Sequence, residues 1–310
     1  MHKGVFEPSV VFDSPPEGKY VLAPAGIGKF FITPFGELLQ TLNGADVVLI
    51  GEEHDDPATH RIELDLVQSL RSDAIAMEMF ERDVQFAIDN FQGAYMYDGD
   101  SGPEVEDIFV AASRPWPNYF ADYRPIVEYG RLKGKGCYLA ASNAPTSIAR
   151  RVAKEGLDAV LNSLSPEERK WVAETTTSPK DEYWQRFLEA MGGGGSANDS
   201  AHGMGMSEGQ IYGFYQAQCL KDDTMAETIA RLREEDPGRQ VVHLSGSFHI
   251  DYHLGIYPRL AARRPQDKIV TVAIRPVENF EEATLQAALE AEPGVADYVV
   301  FVIREEPAKQ

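Results

Sequence analysis

Residues 46 to 60 read Asp46-Val47-Val48-Leu49-Ile50-Gly51-Glu52-Glu53-His54-Asp55-Asp56-Pro57-Ala58-Thr59-His60. The opening run, apolar and rich in β-branched side chains, predicts a buried strand over 46 to 50. Gly51 permits a tight exit from it. Asp56 followed by Pro57 is an N-cap and first-turn signature, so a helix begins directly after the polar loop. A strand, a short polar loop and a helix in immediate succession form one βα unit.

Working outward, similar apolar runs predict strands at 74 to 78, 137 to 141, 241 to 245, 269 to 274 and 297 to 303. Helical periodicity follows the first two strands, with Ile62, Leu66 and Leu70 on one face and Val84, Ile88 and Phe91 on another. Strands buried on both faces and separated by helices predict an α/β protein, a mainly parallel β-sheet flanked by helices. Residues 142 to 240 exceed what one crossover needs and predict a smaller all-helical subdomain. Helices are expected over 146 to 190 and 208 to 235, including SPEERKWVAE, where Ser165 can cap and Pro166 takes the first helical position. The division expected is an α/β sheet domain of residues 1–145 and 236–310 around a helical subdomain of residues 146–235. The stretch MGGGGSANDSAHGMGMSEG, 191–209, has no periodicity and reads as a flexible glycine-rich loop or lid.

The 310 residues carry 29 Lys and Arg against 49 Asp and Glu, a formal charge of −20. That balance repels polyanions, which excludes nucleic acid held through phosphates and an anionic membrane held through a basic patch. No window is apolar for long enough to insert in a membrane, and the first residues lack the regions of a secretion signal, so a soluble chain is expected. Cytoplasmic and periplasmic locations, the latter after removal of an export or lipoprotein signal, stay equally open. Cys137 and Cys219 form no CxxC pair and read as buried thiols.

In an open parallel sheet, ligands bind where loops leave the carboxyl ends of the strands. That edge receives Glu52 and His54 after the first strand, Glu78 at the end of the second, Ser142-Asn143 after the third and His249 after the fourth. Gly51 and Gly246 would aim Glu52, His54 and His249 across the edge. Glu78 stands between Met77, Met79 and Phe80, where a carboxylate needs a partner. On the helix after the first strand His60 shares a face with Leu64 and Val67, which fits a packed histidine as well as a functional one. Asp222 lies on the apolar stripe of Ile211, Tyr215, Gln218, Met225 and Ile229, so it either pairs internally or points at a ligand. His243 and His253 read as structural.

Taken together, Gly51-Glu52-x-His54-Asp55 with Pro57 and His60, MEMFERDVQF at 77 to 86, YRPIVEYGR at 123 to 131, Asn143-Ala144-Pro145, AQCLKDDTMAE at 217 to 227, Gly246-x-x-His249 and ADYVVFV near the end resemble the ChaN-like haem-binding uptake family. That family belongs to the Tiki/TraB/erythromycin-esterase superfamily. The resemblance runs from about residue 30 to residue 303, and Lys221 stands where its pattern carries Trp. It implies haem as cofactor, cofacial haems across a homodimer, and a part in iron uptake. It places polar strand-end groups at Glu52, His54, Glu78 and His249, with Arg124 and Asp222 in family-like segments as cofactor-binding positions; Tyr123 and Tyr215 join them as candidate cofactor-binding residues from the chain's own tyrosines.

Two chemistries and a bland alternative follow. Haem needs an apolar pocket and a Tyr or His ligand, with Tyr119, Tyr123, Tyr212 and Tyr215 available. A hydrolase would use His54 or His249 as general base, with Glu52 and Glu78 as catalytic partners, or all four as ligands of zinc or manganese. A scaffold with a vestigial polar network would need none of them.

Overall fold

The structure, a computed structural model, describes residues 20–24, 35–70, 72–98, 103–132, 137–191 and 206–305. Residues 192–205 of the expected lid lie outside the described residues. A seven-stranded sheet organises the chain, in the order β1 (Tyr20–Pro24), β7 (Tyr298–Ile303), β6 (Ile269–Val277), β2 (Val47–Glu52), β5 (Val241–Gly246), β3 (Ala74–Glu81) and β4 (Tyr138–Asn143). The last six run parallel and β1 pairs antiparallel with β7. This is the α/β architecture the periodicity predicts, with one short edge strand added.

Both faces of the sheet are covered, which explains why the strands read as unbroken apolar runs. All six residues of β2 are buried. Val48 and Ile50 face a core shared with α1 (Phe35–Asn43), α2 (Pro57–Leu70), α3 (Gln85–Asp98), α4 (Pro103–Ser113) and α5 (Arg124–Leu132). Val47 and Leu49 point the other way, to a second core. The helices there are α9 (Glu208–Glu235), with Met225, Ala226 and Ile229, and α10 (Ile256–Arg263), with Ile256 and Leu260. Burial of these two apolar layers, at roughly 25 cal/mol per Å² removed from water, is the main favourable contribution to folding.

The chain between β4 and β5 builds α6 (Thr146–Glu155), α7 (Leu157–Ser163), α8 (Glu182–Ala190) and α9. SPEERKWVAE forms only a 3₁₀ turn, Glu168–Trp171, where a full helix was expected. Ser165 does cap, accepting from the Glu168 amide at 3.2 Å. Arg169 then reaches forward to the carbonyls of Ala173 and Glu174, at 2.6 and 2.7 Å, and the run of threonines at 175 to 177 continues without helix. β-Branched side chains resist helical χ1 geometry, and the Arg169 bonds fix the chain beyond the turn.

α9 joins the two regions. Its first half packs Ile211, Tyr215 and Cys219 against Tyr183, Trp184 and Phe187 of α8, and its second half lies on the sheet. Gly213 lets it cross α6 closely: a Cβ there would sit 2.3 Å from the Ala153 carbonyl oxygen. Gly213→Ala is therefore expected to destabilise by about 1–3 kcal/mol, since backbone must move. Chemical denaturation checks this, and an unchanged midpoint would show the crossing to be slack. Cys137 and Cys219 are both buried, as the sequence predicts. Among the described residues no helix is long and apolar enough to cross a membrane.

Candidate functional site at the carboxyl edge of the sheet

β2, β5 and β3 are neighbours at the centre of the sheet, although β3 and β4 precede β5 in the chain. The chain runs outward from β2 to β3 and β4, then returns to insert β5 between β2 and β3. Their carboxyl ends converge, with Glu52 level with Gly246 and Met77 level with Leu244. Strand alternation then separates the two carboxylates. Glu52, following Val48 and Ile50, faces α2 and α5, whereas Glu78, following Ala74 and Ala76, faces α9.

Two glycines make the convergence sterically feasible. A Cβ on Gly51 would lie 2.6 Å from Ile250 Cγ1, and one on Gly246 only 2.7 Å from His54 Nε2. Asp56 caps α2 by accepting from the Ala58 and Thr59 amides at 2.8 and 3.2 Å. The loop between Gly51 and that cap is thereby short and fixed, and it presents His54 over the β5 edge.

His54 Nδ1 is 2.6 Å from Glu52 Oε1, which also accepts from the Tyr123 hydroxyl. Trp116 packs edge-on against the His54 ring, 4.4 Å between centroids. Its Nε2 lies 4.0 Å from Glu78 Oε2 on the open side, and the side chain keeps 41% of its surface exposed. Burial opposes ionisation of Glu52, but hydrogen bonds with Glu63 and His54 and the charges of His60 and His54 hold it down at about 2. Burial likewise opposes a charge on His54, and Glu52 with Glu78 raises its pKa nevertheless.

His249 is held differently. Its Nδ1 is 2.6 Å from Asp222 Oδ1 and its Nε2 3.1 Å from Glu78 Oε1, with the ring buried. Carboxylate oxygens accept, so both ring nitrogens donate and His249 is an imidazolium. Burial opposes this, but Glu78 and Asp222 raise its pKa to about 9. Glu78 falls well below the usual range against its own burial, through His249, Lys221 and His54. It also accepts from the Gly246 amide at 2.9 Å, and Lys221 Nζ approaches to 3.6 Å. The Tyr183 hydroxyl donates to Asp222 Oδ2 at 2.9 Å.

These groups line a cavity of about 610 Å³. Glu52, His54, Glu78 and His249 form its polar side with Lys221 and Gln218, and Phe187, Ala190, Met191 and Phe248 form an apolar wall. The volume suits a cofactor or small organic ligand. The other positions marked from sequence stand behind or away from it. Tyr123 and Asp222 support Glu52 and His249 from below. Arg124 is paired with Glu106 on the surface, and the Tyr215 hydroxyl donates to the Pro179 carbonyl at 2.9 Å. Tyr119 bonds to Glu106 and Tyr212 to the Ser178 carbonyl, so none of the four tyrosines lines the cavity. Ser142 and Asn143 brace β3, donating to the carbonyls of Met77 and Glu78.

Sequence reasoning passed over Gln218, Lys221 and Phe187 as cavity residues, and Glu63 altogether. Glu63 lies three residues after His60, on the same helical face, and its Oε2 is 2.9 Å from His60 Nδ1. That spacing was the available signal. Burial, the Glu52 charge and Asp122 push the Glu63 carboxyl well above its ordinary range.

A parallel α/β sheet with a carboxylate–imidazole cavity on its carboxyl edge, roofed by an inserted helical region, defines the class of protein. The sequence matches the family described as haem-binding uptake, Tiki superfamily, ChaN, over residues 38–260, and the chain belongs to that family. No curated protein matches the sequence. Among solved structures the chain is similar to ChaN of Campylobacter jejuni, described with cofacial haem binding, at 16% identity and TM-score 0.60, covering 92% of this chain and 97% of that one. It is also similar to the erythromycin esterase EreC in an open conformation, at 11% identity and TM-score 0.51, covering 93% and 98%. At such identities these likenesses show the fold.

Proposed function

We propose that this chain binds haem in the cavity at the sheet edge, with His54 Nε2 as the nitrogen that takes the iron, and that it serves haem or iron uptake. One observation carries the reading: His54 is the cavity imidazole whose outer nitrogen carries no short hydrogen bond, while Glu52 fixes its ring from behind. A ligating histidine needs that arrangement, because its second ring nitrogen must be held for the first to be aimed. Family membership supports haem as the occupant. Phe187, Met191 and Phe248 offer a flat-sided apolar wall, and Lys221 is a cation within the cavity for a propionate. His249 is unsuited to iron while both its nitrogens donate. Tyr119, Tyr123 and Tyr215 are unsuited because burial raises their phenols far above neutral pH.

Titration of the purified protein with ferric haem is expected to give a saturable Soret shift. His54→Ala should weaken it about tenfold or more and change the band position. No saturable shift, or a variant with the wild-type spectrum, would reject the assignment. Cofacial pairing of two such cavities needs a second copy, so sedimentation should show haem-linked dimerisation.

A second reading rests on the same dyad. Glu52–His54 with Nε2 open to a cavity is also a general-base arrangement, and Lys221 supplies a cationic donor within the same cavity. Hydrolysis of activated esters that disappears in His54→Ala, without haem binding, would favour it. The four-residue metal set of Glu52, His54, Glu78 and His249 requires His249 to lose its proton and leave a carboxylate, and elemental analysis of the isolated protein tests it.

A further inference from the structure

The side of Glu52 turned away from the cavity belongs to a second cluster. Its Oε1 is taken by His54 and Tyr123, and its Oε2 faces α2, where His60 Nδ1 stands 3.8 Å away. The same Nδ1 is 2.9 Å from Glu63 Oε2. Glu52 is 2% exposed, His60 2% and Glu63 0%. Glu52 Oε2 and Glu63 Oε1 are buried, and no third residue donates an N–H or hydroxyl to either. Two buried carboxyl groups in that position need something positive between them, a proton or a metal ion.

The third member is prepared for the second possibility. His60 Nε2 lies 3.0 Å from the His54 carbonyl oxygen, which can only accept, so Nε2 carries the hydrogen. With Nε2 committed to that carbonyl, Nδ1 is the ring nitrogen left to face the two carboxyl groups. A backbone carbonyl holding the far nitrogen is the usual outer support of a metal-bound histidine. Asn118 steadies the same carbonyl at 2.9 Å, and the Tyr123 ring packs 4.4 Å from the His60 ring.

We propose that Glu52, His60 and Glu63 form a buried divalent-cation site, distinct from the cavity, that takes Mn²⁺ or Zn²⁺ through two carboxylates and one imidazole. One donor atom from each lies within 4.8 Å of the others, and among the described residues this is the group of His, Cys, Asp and Glu side chains that converges so. Donors bonded at about 2.1 Å sit roughly 3.0–3.4 Å apart for angles near 90–109°. The separations of 2.9 and 3.8 Å bracket that range. Oxygen-rich sets with one imidazole suit manganese and zinc. Because Glu52 binds the cation through Oε2 and His54 through Oε1, the ion would brace His54 from beneath, whatever occupies the cavity above.

The test uses the full chain after dialysis against a chelator. Titration with Mn²⁺ and with Zn²⁺, read by calorimetry and by elemental analysis after gel filtration, is expected to give one equivalent per chain. His54→Ala and His249→Asn should keep that equivalent. Glu63→Gln and His60→Asn should lose it, with affinity falling about tenfold or more. In the wild type, substoichiometric Mn²⁺ should broaden the ring signals of His60 before those of His249, which locates the ion even where a variant fails to fold. Less than a fifth of an equivalent bound overturns the proposal, and so does broadening of His249 first. Binding retained in folded Glu63→Gln but lost in His54→Ala would also overturn it, by placing the ion in the cavity.

Discussion

Asp222→Ala is expected to lower the unfolding free energy by about 3–5 kcal/mol and to pull the pKa of His249 down from its raised value. Two buried donors depend on that carboxylate, His249 Nδ1–H at 2.6 Å and the Tyr183 hydroxyl at 2.9 Å. Each buried donor left without an acceptor costs roughly 1–3 kcal/mol, more when it is charged. The Ala side chain reaches neither, and the surroundings cannot supply water cheaply, since Asp222 itself is fully buried. His249 would be left with Glu78 as its single carboxylate, and the histidine would give up its proton more readily. Asp222→Asn, which keeps an acceptor at Oδ1 but no charge, should fall between Ala and wild type. Urea denaturation gives the first quantity and ring chemical shifts against pH the second. A loss under 1 kcal/mol for Ala would mean that Glu78 alone holds His249, and the buried relay would then be incidental.

The relay shows what a sequence exposes and what it hides. The six parallel strands are legible because each is covered on both faces, so that β2 and its neighbours consist of unbroken apolar runs. β1 is not, being five residues that end in Pro24 on the sheet margin. Gly51 and Gly246 announce tight exits, and with them the placement of Glu52, His54 and His249 on one edge can be foreseen. The partners of those residues cannot. Asp222 reaches His249 from a helix 27 positions earlier, and Tyr123 reaches Glu52 from 71 positions later. Spacing along an element carries no information about such pairs; only the strand order brings them together. Nor could Glu52 and Glu78 be assigned to opposite sides of the rim before the strand neighbours were known. The His60–Glu63 pair is legible in principle from its three-residue spacing, but Leu64 and Val67 on the same face leave His60 open between packing and function, and nothing in the spacing alone singles out Glu63.

Stability against pH should carry the signature of the Glu78–His249–Asp222 relay, best read as the difference between wild type and His249→Asn. His249 titrates near 6.5 unfolded and about 9 folded, so folding favours its proton. A raised pKa contributes stability that is fully present below pH 6.5 and lost as pH climbs through 9. Glu78 is depressed from 4.5, so its contribution is present above pH 4.5 and lost as pH falls below it. The difference curve should therefore have a plateau between pH 4.5 and 6.5, an acid limb from Glu78 and an alkaline limb from His249. At about 1.4 kcal/mol per pKa unit, the alkaline limb amounts to about 3 kcal/mol. His243, whose burial lowers its pKa to about 4, and Asp251, whose burial raises its own to about 6, bend the curve of each protein alone. Asp251 does not feel His249 and subtraction removes it, whereas His243 and His54 enter the difference only through their coupling to His249. Denaturation midpoints converted to free energies every half unit from pH 4 to pH 9.5 would trace the difference. A flat alkaline limb would mean that His249 is neutral in the folded protein, with a proton on Asp222 or Glu78 in its place. Its ring would then have a nitrogen to offer, and the assignment of the iron ligand to His54 would lose its main contrast.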